Sequence, residues 1–196
     1  MAKIPGFKSE APVQSYPMLP AGAYVCGIKN VKIEGTKPDQ AIVLRLDIIE
    51  GEYAGYYTKR YEHESGNSTG RYEVRYKGDY RIQIPDERNQ KRQHPEWDLR
   101  TLNESIFRIE QSNQGFHWDG DTDHVMDLKG KIVGINVREG MYNGNLYTQI
   151  GRLENAEDVR KGIIRPMKPK KPSGQTVTGV DEQTGFTGVE TDELPF

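Results

Sequence analysis

The sequence predicts an all-β domain of five strands with one helix between the third and fourth strands. Two observations predict it. Five segments either alternate apolar and polar residues or are rich in β-branched and aromatic residues, and each is bounded by turn residues. One further segment, Leu99–Asn113, repeats its apolar residues at helical spacing. A chain of 196 residues is long enough for one such domain with extensions.

The first two predicted strands have the clearest apolar patterns. Gly22–Ile33 has two partly apolar faces, and Gly27 in its middle predicts a bulge or a sharp bend. After a turn, Ala41–Glu50 places four large apolar side chains on one face. These residues are Ile42, Leu44, Leu46 and Ile48. The pattern indicates a strand with one face in the core.

The third predicted strand, Tyr56–Glu62, is rich in aromatic and basic residues. A long polar stretch, Glu64–Asp98, separates it from the helix, and within that stretch Arg71–Arg81 fits a short hairpin. Connections of this length are usually functional or disordered. We therefore expect an insertion between the third strand and the helix.

The helix over Leu99–Asn113 has Asp98 as its predicted N-cap. Two strands follow it. Gly130–Arg138 is the fourth and Leu146–Arg152 is the fifth, and Asn143-Gly144 between them is a strong signal for a two-residue hairpin turn. The fourth strand is expected to direct Val133, Ile135 and Val137 inward.

The element order β-β-β-α-β-β is that of the five-stranded OB barrel, in which a helix lies between strands three and four. We therefore predict an OB-fold domain over residues 21–165. The Pro-rich residues 1–20 are expected to form an N-terminal arm. Residues 166–189 are expected to be a disordered linker, and residues 190–196 an acidic C-terminal tip.

Composition and charge exclude several classes of protein. A single cysteine, Cys26, allows no internal disulfide and no thiolate metal cluster. No apolar run approaches the ~18 residues of a membrane span, and no secretory signal is present, so we expect a cytoplasmic protein without a membrane partner. All 27 bases but only 24 of the 29 acids precede Pro172, so that part carries a net charge of +3. The basic body and the acidic end favour different partners.

Aromatic and basic residues are interleaved in the third predicted strand and in the following insertion. Binding of a single nucleic-acid strand needs cations along the phosphates and aromatic faces on which bases stack. The predicted nucleic-acid-binding residues are Tyr57, Lys59, Arg60, Tyr61, Arg71, Tyr72, Arg75, Tyr76 and Lys77. The alternative is that tyrosine is present as a strand former and the cations as a solvated exterior.

A second motif, Asp119–His124, begins with the aspartate spacing of a calcium loop. His124 stands where that loop needs glycine, and Gly130 where it needs glutamate, which argues against an EF-hand. Two interpretations of this segment stay open. It is either a cation site for nuclease chemistry or simply a polar turn between the helix and the fourth strand. No nucleophile motif, phosphate loop or dinucleotide motif occurs, and we expect no enzyme activity, no cofactor and no bound metal.

Three segments resemble phage-encoded single-stranded-DNA-binding proteins of Gram-positive hosts: Glu110–Asp119, Asp127–Lys131 and Ile48–Glu52. The last residues resemble the acidic tip of bacterial single-stranded-DNA-binding proteins, which ends in acids, an apolar residue, proline and phenylalanine. In this chain they are Asp192, Glu193, Leu194, Pro195 and Phe196. The long insertion at 64–98 and the short linker depart from the bacterial pattern.

The resemblance implies an OB fold that binds single-stranded DNA with little sequence preference. It also implies recruitment of replication, recombination or repair proteins through the tip, in the cytoplasm of a bacterial host. A homo-oligomer, with a dimer favoured, is a further expectation. The alternatives are the metal-dependent nuclease and an adaptor that binds only proteins, since an acidic, apolar peptide suits an apolar pocket ringed by Lys or Arg.

Overall fold

A five-stranded antiparallel sheet is the framework of the protein, seen in a computed structural model that describes residues 15–68, 70, 73–91 and 94–170. The strands are β1 (Gly22–Glu34), β2 (Ala41–Ile48), β3 (Asp79–Gln83), β4 (Ile132–Tyr142) and β5 (Asn145–Glu154). They lie in the order β3-β2-β1-β4-β5, and every neighbouring pair is antiparallel. Among the described residues β3 and β5 do not pair with each other, so the sheet is open.

The helices lie in the connections between strands. They are α1 (Tyr56–Gly66), α2 (Pro95–Ser112) and α3 (Ala156–Arg160), with a 3₁₀ helix over Thr122–Leu128. α2 packs against β3, β4 and β5 and covers the core near the open side of the sheet. Within the described ranges, no helix combines the length and the apolar character that a membrane crossing needs.

The core lies on the face of the sheet that the apolar alternation predicts. The four apolar residues predicted to share one face of β2 are each at most 1% exposed, and the inward residues of β4 are equally buried. Burial of these branched side chains is the main favourable term for the sheet, at roughly 1.5–3 kcal/mol for each. The predictions for the core faces of β2 and β4 are confirmed.

The prediction of a third strand over Tyr56–Glu62 is wrong, because this segment is the helix α1. Gly55, with φ 74°, turns the chain before the helix. The buried carboxylate of Asp47 on β2 then accepts hydrogen bonds from the Tyr57 amide (3.0 Å) and from the Thr58 hydroxyl (2.5 Å), and so caps the helix from outside. The third strand of the sheet is β3, which lies inside the stretch predicted as an insertion.

Two local predictions need adjustment and one is confirmed. The bulge expected at Gly27 lies at Lys29, where the register between β1 and β2 shifts. α2 begins at Pro95 with His94 as its N-cap residue, so the predicted cap Asp98 lies in the first turn instead. The hairpin turn is confirmed, because Asn143 and Gly144 both have positive φ, as a type I′ turn requires.

The segment before β1 packs onto α1, although the sequence assigned it to an irregular arm. The Tyr56 hydroxyl donates to the carbonyl oxygen of Pro17 (2.7 Å) and accepts from the Leu19 amide (2.9 Å). Leu19 itself is 1% exposed and belongs to the core. The described part of this segment is therefore held against the domain.

Candidate nucleic-acid interface

A groove of about 510 Å³ lies on the outer face of β1, β2 and β3, beside Tyr61 in the middle of α1 and the segment 73–76. We call it the sheet groove. Its lining residues are Lys32, Glu34, Val43, Arg45, Tyr61, Glu73, Val74, Arg75, Tyr76, Asp79 and Arg81. Three of the predicted nucleic-acid-binding residues therefore lie together here, namely Tyr61, Arg75 and Tyr76.

The floor of the sheet groove is set by the register of the strands. Val43 on β2 pairs with Lys32 on β1 and with Arg81 on β3, so the three side chains form a row across the sheet. Two residues further along β2, Arg45 pairs with Asp79 on β3. Because residues two apart on a strand point to the same face, Arg45 extends the same cationic row.

Aromatic rings form the wall of the sheet groove. The rings of Tyr61 and Tyr76 lie 5.8 Å apart, and the Arg45 guanidinium lies 4.7 Å from the centre of the Tyr76 ring. The Tyr76 hydroxyl donates to the Leu46 carbonyl oxygen (3.1 Å), which fixes its ring against the sheet, and burial raises the pKa of Tyr76 to about 12. Tyr61 is 40% exposed and offers a face to the groove.

Acidic side chains neutralise part of the positive charge. Glu34 accepts from Lys32 (2.5 Å) and Arg81 (3.1 Å), and the hydrogen bond from Lys32 is the main reason why the pKa of Glu34 is lowered. Asp79 receives two hydrogen bonds from Arg45, at 3.0 and 3.2 Å. Arg75 is exposed and forms no ion pair with any described residue. It is therefore the cation most available to a phosphate.

A second groove, of about 520 Å³, lies beside α1 at Arg60, between residues 15–18 and the start of β5. We call it the hairpin groove. Its lining residues are Ser15, Tyr16, Met18, Arg60, Lys77, Leu146, Tyr147, Thr148 and Gln149. Two more predicted binding residues, Arg60 and Lys77, are therefore placed in this groove and not beside Tyr61.

Among the remaining predicted binding residues, Tyr57 and Lys59 line neither of the two grooves. Tyr57 is 4% exposed and packs in the core, so it has no face for a base, and the interface is corrected to omit it. Lys59 donates to the Ala54 carbonyl oxygen (2.8 Å) at a separate apolar pocket of about 210 Å³. Arg71 and Tyr72 lie outside the described residues, as does the whole tip, 190–196, with its five predicted partner-binding residues, 192–196.

Lys32, Arg45 and Arg81 are functional candidates that sequence reasoning missed. The signal was present in β2, because Arg45 stands between two core residues in an alternating strand and must therefore face outward. What the sequence does not show is the strand pairing that sets Lys32 and Arg81 beside that residue. Tyr147 is a further candidate that the sequence does not mark, because the fifth strand is recognised from the hairpin turn before it and not from its side chains.

The Asp119–His124 segment forms a polar turn. The Asp119 carboxylate accepts from the Asp121 amide (2.9 Å), and Asp121 accepts from the Asp123 amide (2.9 Å). His124 lies 2.6 Å from the other Asp119 oxygen, and that hydrogen bond raises the pKa of His124. Within the described ranges no group of three or more His, Cys, Asp or Glu side chains has an arrangement that would hold a metal ion.

Neither a protein-family model nor a curated protein sequence matches the chain.

Proposed function

We propose that this protein binds single-stranded DNA with little sequence preference, and that the sheet groove is its main contact. The observation that carries the proposal is the placement of two tyrosine rings, Tyr61 and Tyr76, beside Arg45 and the exposed Arg75 in one groove. Stacking on tyrosine uses the flat face that every base has, and arginine contacts phosphate without reading a base.

The geometry favours a single strand over a duplex. Stacking requires an unstacked base, and a duplex presents only the edges of its bases in the grooves. The crevice between the sheet and the 73–76 segment has room for individual nucleotides, at about 510 Å³. We therefore expect weak, salt-sensitive binding to duplex and tighter binding to a single strand.

An OB barrel is part of the proposal. The strand order and the position of α2 between β3 and β4 are those expected for this fold. OB barrels are often partly open, which accommodates the lack of pairing between β3 and β5, and they bind oligonucleotides on the face of their second and third strands. The floor of the sheet groove lies largely on β2 and β3.

The biological role that we propose follows the resemblance noted in the sequence. The protein would coat and protect single-stranded DNA during phage replication or recombination in the cytoplasm of a bacterial host, without being an enzyme. Residues 192–196 would recruit partner proteins to the coated strand. An acidic tip that ends in Leu194-Pro195-Phe196 suits a small apolar pocket with basic residues at its rim.

The test is the affinity of wild-type protein and of Tyr61→Ala for a labelled oligo-dT, measured by fluorescence anisotropy. We expect the variant to bind about 5- to 150-fold more weakly, since each stacked base contributes roughly 1–3 kcal/mol. Alanine at this position also favours the helix, so α1 should persist. Trp97→Ala is the matched control, because Trp97 is 63% exposed and lines neither groove. Equal affinity of Tyr61→Ala and wild type would remove the sheet groove from the binding surface.

A further inference from the structure

The hairpin groove repeats the chemistry of the sheet groove and takes Arg60 from α1, the residue next to Tyr61. It contains the cations Arg60 and Lys77 and the rings of Tyr16 and Tyr147. Arg60 is held by Glu64 at 2.7 Å, whereas Lys77 is exposed and forms no ion pair with any described residue. Lys77 is therefore the cation of this groove that is available to a phosphate.

Tyr147 is held in a fixed position. It pairs with Gly140 across the β4–β5 ribbon, and a side chain at Gly140 would collide with the Tyr147 ring. The ring therefore lies over the glycine backbone, in the way that an aromatic residue covers a cross-strand glycine. A ring that is already ordered loses little conformational entropy when a base stacks on it.

The opposite wall of the hairpin groove is also fixed. Tyr16 packs edge-on against Tyr56, with ring centres 5.4 Å apart. The Tyr56 hydroxyl bonds to the backbone on both sides of Met18, through Pro17 and Leu19. The groove is therefore bounded by ordered elements on both sides.

The two grooves meet at two places along the chain. Arg60 lines the hairpin groove and the next residue, Tyr61, lines the sheet groove. In the same way Tyr76 lines the sheet groove and Lys77 the hairpin groove. At both places a residue that lines one groove is the chain neighbour of a residue that lines the other, so the two grooves adjoin at α1 and at the segment before β3.

We infer that a single DNA strand occupies the sheet groove and the hairpin groove in succession and bends around α1 between them. The inference rests on the proposed function and extends it, since it assigns Tyr147 and Lys77 to a second subsite. Full affinity then requires an oligonucleotide long enough to fill both grooves.

The experiment measures the affinity of an oligo-dT series from about 4 to about 20 nucleotides, a range that brackets the site sizes of single OB folds. The proteins are wild type, Tyr61→Ala, Tyr147→Ala and Lys77→Ala. We expect Tyr147→Ala to bind the long oligonucleotides at least about fivefold more weakly and to lose the gain in affinity that length gives wild type. On long strands, Lys77→Ala should make the negative slope of log affinity against log salt shallower by about 0.7, because one phosphate contact is lost.

Controls separate loss of a subsite from loss of structure. Tyr147→Phe keeps the ring over Gly140 and should bind like wild type. Trp97→Ala and Lys161→Ala remove an exposed ring and an exposed cation outside both grooves and should change neither quantity. If Tyr147→Ala does not fold, Lys77→Ala decides the matter alone.

Two outcomes would overturn the inference in different ways. In the first, Tyr147→Ala and Lys77→Ala bind long strands like wild type, while Tyr61→Ala binds them more weakly. That result would confine DNA to the sheet groove and leave the proposed function in place. Absence of binding by wild type at every length would remove the proposed function together with the second subsite.

Discussion

The buried carboxylate of Asp47 connects the sheet to α1, the helix that contributes Tyr61 to the wall of the sheet groove. Asp47 is 3% exposed and accepts from the Ile48 amide, the Tyr57 amide and the Thr58 hydroxyl. Gly55, the N-cap residue of α1, has no side chain that can cap the helix. Asp47 on β2 therefore supplies the capping oxygen atoms.

We predict that Asp47→Ala lowers the free energy of unfolding by about 2–3 kcal/mol, since buried donors lose their acceptor. Urea denaturation followed by circular dichroism measures the change. Glu62→Ala is the control, because Glu62 lies exposed on the same helix and should change stability little. A stability for Asp47→Ala that matches the control would mean that α1 does not depend on this contact.

The His124–Asp119 pair gives a prediction about pH. The pKa of His124 is raised, chiefly by its hydrogen bond to Asp119 and then by the charge of that carboxylate. A histidine whose pKa is raised on folding adds stability that is fully present below the unfolded value of about 6.5, and that is lost as pH rises through the folded pKa. NMR titration should place the His124 midpoint above that value, and Asp119→Asn should lower it. An unchanged midpoint in the variant would exclude Asp119 as the cause.

Four strands and the main helix were predictable from the sequence, whereas β3 and α1 were not. β1, β2, β4 and α2 bury apolar residues at strand or helix spacing, so their periodicity appears in the sequence. β5 buries only Leu153 among its apolar residues, and the Asn143-Gly144 turn before it was its signal. β3 is five residues long and largely polar, and its pairing with β2 makes it a strand. The pattern of tyrosines and cations in α1 also fits a strand, while its cap comes from Asp47, nine positions before the helix start. The Arg60–Glu64 spacing was the local signal for a helix.

Gly78 is where the segment that carries Tyr76 passes closest to the sheet. A Cβ atom at this position would lie 2.8 Å from ring atoms of both Tyr57 and Tyr76, and closer still to the Leu46 carbonyl oxygen. The Gly78 carbonyl also accepts from the Leu46 amide (2.9 Å). The tyrosine wall of the sheet groove therefore depends on a glycine here.

We predict that Gly78→Ala destabilises the protein by about 1–3 kcal/mol and weakens oligo-dT binding, because the 73–77 segment must move. Gly66→Ala is the matched control. No atom lies within 4 Å of a Cβ at Gly66, which is the last residue of α1, so alanine should be neutral or slightly stabilising there. Thermal unfolding and fluorescence anisotropy measure the two effects. Wild-type affinity in Gly78→Ala would separate the position of Tyr76 from DNA binding.

At the scale of the whole molecule, the fold assembles a surface that no single stretch of sequence contains. The sheet groove takes Lys32 from β1, Arg45 from β2 and Arg81 from β3, and it adds Tyr61 and Tyr76 from the connection between β2 and β3. Sequence patterns identified the aromatic and basic residues of that connection but not the strand cations, because strand register decides which side chains meet. The fold also places Tyr57 in the core, and it divides five of the predicted nucleic-acid-binding residues between the sheet groove and the hairpin groove.

Binding of single-stranded DNA by this surface is best tested by fluorescence anisotropy of a labelled oligo-dT and of a duplex of the same length, each titrated at several NaCl concentrations. We expect tighter binding of the single strand, with log affinity falling linearly in log salt by about 0.7 for each phosphate contacted. Equal affinity for both forms of DNA, or no binding to either, would show that the proposed function is wrong.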